Sequence, residues 1–160
     1  ETVADGKVLP ALVDILRLIA KNGLVLGTGH LTPSECLVVV EEARKQGVEK
    51  IVVNHPEWTT VDMSIDEQKS LAQFDVLFER CYARSVDGRY ETNFRRNLAA
   101  MEALGFASTI VATDGGQVEN PVWSEALSEY IEFLLQAGVP QIDVDKMTKH
   151  NPARILGLVD

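Results

Sequence analysis

Two imidazoles and a carboxylate stand where short apolar runs end: His30 after LVLGTG, His55 after IVVN and Asp114 after TIVAT. Neutral imidazole nitrogen and carboxylate oxygen are the ligand types of catalytic zinc, which keeps one position open for water. A divalent metal so held lowers the pKa of water to about 7 and polarises a carbonyl, so the trio points to metal-assisted hydrolysis. The local chain suits that reading. In Asn54-His55-Pro56 the proline cannot donate to a strand ladder, which leaves His55 at a strand tip. Gly27-Thr28-Gly29 leaves room beside an imidazole at His30, and Asp114 precedes Gly115-Gly116, where the chain must turn. Taken singly, each residue also suits a turn or capping role; their recurrence at three strand exits carries the reading. Glu79, inside the otherwise apolar run VLFERCY, is a candidate substrate-binding residue. GTG lacks the GxGxxG spacing of a dinucleotide site, and GxSxG is absent, so neither hydride transfer nor serine acyl transfer has support.

The elements that must position these residues follow from periodicity and caps. Apolar positions 12, 15, 16 and 19 predict a helix over 10–21, stopped by Asn22-Gly23. Thr32-Pro33-Ser34-Glu35 and Ser64-Ile65-Asp66-Glu67 are capping boxes that open helices reaching about Gln46 and Gln73. Strands are expected over 24–26, 51–53, 76–82 and 109–113, a loop over 85–91, and helices over 93–104, 123–136 and 144–156. The helix at 123–136 places Trp123, Leu127, Tyr130, Ile131 and Leu134 on its inward face.

Strand starts 25 to 33 residues apart match the roughly 30 residues per βα unit of an eight-stranded barrel. The fold class is therefore α/β, with parallel βα repeats in a (β/α)8 TIM-barrel-like arrangement. At 160 residues a single domain covers about the second half of such a barrel. A small open doubly wound sheet accounts for four strands equally well. In both architectures the carboxyl ends of parallel strands share the face where sites are built.

Composition narrows the function classes. With 24 acidic against 15 basic residues and a net charge of −9, no Lys/Arg stripe is available to neutralise phosphates, so no nucleic-acid partner is expected. The longest apolar run falls well short of the ~20 residues of a membrane span, so no membrane partner is expected. Cys36 and Cys81 make no CxxC and read as free buried thiols; with no leader pattern visible, a reducing cytoplasm is the expected location.

Asn151-Pro152-Ala153-Arg154-Ile155-Leu156-Gly157-Leu158 resembles the closing NPARLLGL segment of the amidohydrolase superfamily of metal-dependent hydrolases. GTGHLTPSE, then NHP, then TDGG resemble the second half of those barrels, closest to an uncharacterised branch, over about 24–158. The resemblance implies that His30 and His55 end the fifth and sixth strands as metal ligands. It implies that Asp114 ends the eighth, binds metal and takes the proton from water attacking an amide, ester or lactone carbonyl of a small molecule. Zn2+ is the implied cofactor. The family's first-strand HxH pair and its fourth-strand carboxylated Lys or Glu have no counterpart here, and Lys50 lies at the wrong end of its strand. An N-terminal half or a homo-oligomer partner is therefore expected to complete the site, and the chain alone to bind metal weakly. Half a barrel leaves sheet edges open, so association is also expected. Two alternatives stay open: a non-catalytic half-barrel that assembles through those edges, and a flavodoxin-like domain with a small ligand at its switch point.

Overall fold

Caps and turns decide where each element starts and stops. The computed structural model describes residues 2–83, 92–118 and 120–158, so the loop expected over 85–91 lies outside the described residues. The chain opens with a two-residue antiparallel hairpin, β1 (Val3–Ala4) and β2 (Lys7–Val8), that sequence reading missed. Its turn, Asp5-Gly6, has φ of 50° and 69°, the left-handed pair that a two-residue hairpin loop demands and that Asp-Gly supplies. Helix α1 (Pro10–Lys21) starts on a proline, and Gly23 (φ 60°) turns the chain into β3 (Val25–Gly27).

Both capping boxes form. At α2 (Pro33–Lys45) the Thr32 hydroxyl accepts from the Glu35 amide while Glu35 accepts from the Thr32 amide. Ser64 and Glu67 do the same at α3 (Ile65–Ala72). Strands β4 (Lys50–Asn54) and β5 (Leu77–Cys81) flank α3. Then come α4 (Phe94–Leu104), β6 (Thr109–Ala112) and α5 (Trp123–Gln136). The single helix expected over 144–156 is instead a run of three pieces: α6 (Gln141–Asp145), a π turn (Lys146–His150) and α7 (Asn151–Ile155). It starts earlier because Pro140 holds an extended backbone just before it (φ −59°, ψ 141°) and accepts the first helical bonds.

The fold is α/β with a four-stranded parallel sheet in the order β3-β4-β5-β6. Strands β3 and β4 pair in register Val25↔Lys50, Leu26↔Ile51 and Gly27↔Val52. The chain divides into two compact units, residues 1–78 and 79–160.

In the first unit Leu16, Val39, Val40, Ala43, Ile51, Val53 and Leu71 are buried. The Arg44 guanidinium ties the end of α2 to the starts of β4 and β5, donating to the carbonyls of Phe74, Val48, Glu49 and Asp75 at 2.7–2.8 Å. Four donors on four backbone acceptors satisfy loop carbonyls that would otherwise depend on water. Ile15, Leu18, Leu24 and Val25, on α1 and at β3, remain exposed.

In the second unit Tyr82, Phe94, Met101, Val111, Tyr130, Leu134 and Met147 form an apolar cluster. Phe94 stacks on Tyr130 at 4.5 Å and meets Tyr82 edge-on at 5.2 Å. Asn97 Nδ2 donates to Tyr130 Oη (2.6 Å) and to the Cys81 carbonyl (3.2 Å). Asn151 Nδ2 donates to the carbonyls of Ala107 (3.0 Å) and Thr109 (2.7 Å), which fastens α7 to the start of β6. Trp123 is a correction: expected to face inward, it is 65% exposed. The buried stripe of α5 runs at four-residue spacing through Ala126, Tyr130 and Leu134. Its backward continuation is position 122, and Trp123 lies about 100° round the helix from it.

Candidate functional site

The segment after β3 is stitched to the end of β4, and this sets the geometry of the two histidines. The Thr28 amide donates to the Val52 carbonyl (3.0 Å), continuing the parallel ladder past β3. The Asn54 amide donates to Thr28 Oγ1 (3.2 Å), and Asn54 Oδ1 accepts from the Gly29 amide (2.9 Å). Gly27 makes space for that carboxamide, because a Cβ there would sit 2.9 Å from Asn54 Oδ1. Gly29 then takes a left-handed backbone (φ 59°) and delivers His30.

His30 and His55 consequently face each other with their Nε2 atoms 3.1 Å apart and ring centroids 4.7 Å apart. His55 is buried and His30 is exposed. The Trp58 indole meets both rings edge-on, at 5.0 Å from His55 and 6.3 Å from His30. His55 itself has φ 26° just before Pro56, a backbone conformation that a residue with a Cβ adopts at a cost of order 1–3 kcal/mol. A 3.1 Å separation suits a hydrogen bond in which one ring donates and the other accepts. It also suits two ligands of one ion. Nitrogens about 2.0–2.1 Å from zinc, at about 90–109° to each other, lie roughly 2.8–3.4 Å apart. Burial pushes the Cys36 thiol up to about 11, opposed by a bond with Thr28, so at neutral pH it is protonated.

In the second unit Asp114 follows β6 with φ 46° and an exposed side chain. The Gly115 amide donates to Thr113 Oγ1 (3.2 Å), and a Cβ on Gly115 would lie 2.9 Å from Trp123 Cβ, so glycine lets this loop lie against the first residue of α5. Glu79 is half-buried in the middle of β5. Burial raises the Cys81 thiol well above the usual range, and the charges of Glu79 and Asp114 raise it further. Glu79 and Cys81, two apart on a strand, point to one face of the sheet, and both carboxylates therefore neighbour the same thiol. Arg80, which sequence reading left out, is fully buried and donates through Nε to Thr109 Oγ1 (3.3 Å). Burial lowers its pKa to about 10, with Tyr130 acting the other way. A lone arginine within an apolar strand was the available signal.

The structure thus brings His30 and His55 together in the first unit and sets Glu79 and Asp114 around Cys81 in the second. Among the described residues no group of three or more His, Cys, Asp or Glu side chains is gathered to hold a metal ion. Trp58 touches the candidate pair. Shallow depressions on the outer surfaces of α4 and α5, lined by residues such as Ser128 and Phe133, include none of the candidate residues. Among the described residues no helix is long and apolar enough to cross a membrane. No curated protein and no solved structure matches the chain. Residues 2–79, all but the first residue of the first unit and one residue beyond it, with both histidines, are similar to a family of unknown function, DUF6282.

Proposed function

We propose that the chain is part of an amidohydrolase-like, metal-dependent hydrolase. His30 and His55 would hold a divalent cation, preferentially Zn2+. The 3.1 Å separation of the histidine Nε2 atoms carries this reading, because it falls within the spacing of two nitrogens on one zinc. A metal in that position supplies an acidified water and a polarised carbonyl for hydrolysis of an amide, ester or lactone in a small molecule.

The chain's own residues do the rest. Each imidazole offers Nε2 while its proton sits on Nδ1, the neutral ligating form. The Trp58 edge keeps one side of both rings apolar.

The half-barrel architecture belongs to the same proposal. The strands lie in sequential order, β3-β4-β5-β6, without the order reversal that makes the ligand site of a flavodoxin-like sheet. The exposed Ile15, Leu18, Leu24 and Val25 favour a covering partner, either an N-terminal half or a second copy. Two buried free thiols fit a cytoplasmic setting.

Calorimetric titration of the chain with zinc chloride at neutral pH tests the metal role. One ion per chain is expected, bound weakly because the ligand set is partial, and lost in both His30→Ala and His55→Ala. Absence of binding in the unaltered chain would refute it and leave the two rings as a hydrogen-bonded pair. A zinc-free chain that still associates through its apolar edge would favour a non-catalytic assembly module.

A further inference from the structure

We infer that Asn54 is the positioning residue that sets the distance between His30 and His55; its consequence for metal rests on the function proposed above. Three observations converge on this residue, two through its side chain and one through its backbone. Its Oδ1 accepts the Gly29 amide at 2.9 Å, one residue before His30. Its backbone N–H donates to Thr28 Oγ1 at 3.2 Å, two residues before His30, and the chain continues directly into His55. Its carboxamide occupies the place that a Cβ on Gly27 would need, 2.9 Å from where that atom would stand.

The sheet ladder alone does not hold His30. The ladder from this segment to β4 continues through Thr28 N–H to Val52 O, and the chain then turns through the left-handed Gly29. The Gly29 amide is the next donor, and Asn54 supplies its acceptor. The residue types follow from this geometry. Gly27 is needed for clearance, Thr28 for a hydroxyl acceptor and Gly29 for positive φ. An amide or carboxylate is needed at 54 because its oxygen must reach one strand across. The motifs GTGH and NHP are therefore two halves of one device, in which the residue before each histidine, directly or through Gly29, fixes the other histidine's place. Asn54 acts on His30 through Gly29 and Thr28, so its role is positional.

The experiment compares Asn54→Ala, Asn54→Asp, Gly27→Ala and the Asn54→Ala/Gly27→Ala double variant in the full chain. Two readouts need no metal: the NOE between carbon-bound ring protons of His30 and His55, and the hydrogen-exchange rate of the Gly29 amide. The third is zinc affinity by calorimetry. Asn54→Ala is expected to lose the inter-ring NOE, to speed Gly29 exchange at least 10-fold, and to weaken zinc binding about 10-fold or more, the scale seen when the support of a metal ligand is removed. Asn54→Asp keeps the acceptor oxygen and should restore the NOE and slow exchange. Gly27→Ala should resemble Asn54→Ala, yet add little in the double variant, where the carboxamide it collides with is gone. An Asn54→Ala protein with an unchanged NOE and unchanged Gly29 exchange overturns the inference, whatever zinc does. If the unaltered chain binds no zinc, the metal reading fails while the NOE and exchange results still decide the role of Asn54. If Asn54→Ala does not fold, the contrast between Gly27→Ala and Asn54→Asp decides it on the same two readouts.

Discussion

Asn151 opens the segment that resembles an amidohydrolase closing motif, and the fold gives it a structural task whose energetic weight can be worked out. The residue is 5% exposed, and its Nδ2 donates to Ala107 O at 3.0 Å and Thr109 O at 2.7 Å. Ala107 lies at the surface, so on truncation its carbonyl can turn to water, and that bond is worth about 1 kcal/mol net. Thr109 is fully buried; removing the donor there costs about 1–3 kcal/mol. Asn151→Ala should therefore destabilise the chain by about 2–4 kcal/mol, lowering a urea midpoint by roughly 1–2 M at a slope of about 2 kcal/mol/M. Asn151→Asp is the sharper test, because it keeps the size and replaces the donor with an acceptor facing two acceptors. The introduced carboxyl gains stability only when protonated, so its folded pKa is raised above the unfolded value of about 3.9. The stability of this variant should be highest below that unfolded value and fall as pH rises through the folded one. Urea unfolding followed by far-UV circular dichroism at pH 4 and pH 7 reads both effects. An alanine variant within about 0.5 kcal/mol of the parent, the scatter of neutral surface changes, would refute the reasoning. So would an aspartate variant with no pH dependence.

Tyr130→Phe removes the 2.6 Å acceptor of Asn97 but leaves Asn97 bonded to the Cys81 carbonyl. It should cost about 1 kcal/mol, and a double-mutant cycle with Asn97→Ala in denaturant should show coupling of that order. Glu35 is held below its ordinary pKa, first by the Thr32 hydroxyl and then by the Thr32 amide. Its contribution is present above the unfolded value and fades as pH falls through the folded one, so Glu35→Gln should flatten the acid limb of a melting-temperature profile below about pH 4.5. Ser64→Ala, which removes the cap of α3, should cost about 1 kcal/mol, measured by the same urea titration.

The elements whose boundaries are chemical were legible from sequence. Thr32 with Glu35 and Ser64 with Glu67 fixed two helix starts because a capping box is a local, reciprocal bond pair. The hairpin at 3–8 was equally local. Its Asp5-Gly6 turn was a usable signal, but two-residue strands carry no periodicity to notice. Trp123 went wrong because its spacing of seven to Tyr130 fits an inward stripe, whereas the helix buries a stripe of period four. The π turn at 146–150 leaves the side-chain pattern nearly unchanged, since one extra residue in a turn is a backbone matter. At the site, residue types and strand exits were readable. What was not readable is that Asn54 reaches across to Gly29, or that Arg80 is buried against Thr109, because both depend on which residues become cross-strand neighbours.

The left-handed backbone recurs at His55 and at Asp114, yet its consequence differs at the two positions. At 114 the chain asks only for a residue content with positive φ, and Gly, Asn and Asp all meet that demand at an exposed position. A lineage kept only for its ability to fold would drift among those three, and the charge would disappear without any cost to the scaffold. At 55 the same conformation holds a buried imidazole packed on Trp58, where glycine would relax the backbone but leave a hole. The scaffold is therefore indifferent to acidity at one position and attached to a ring at the other. Replacement libraries screened first for folding and then for hydrolysis would tell these two kinds of constraint apart.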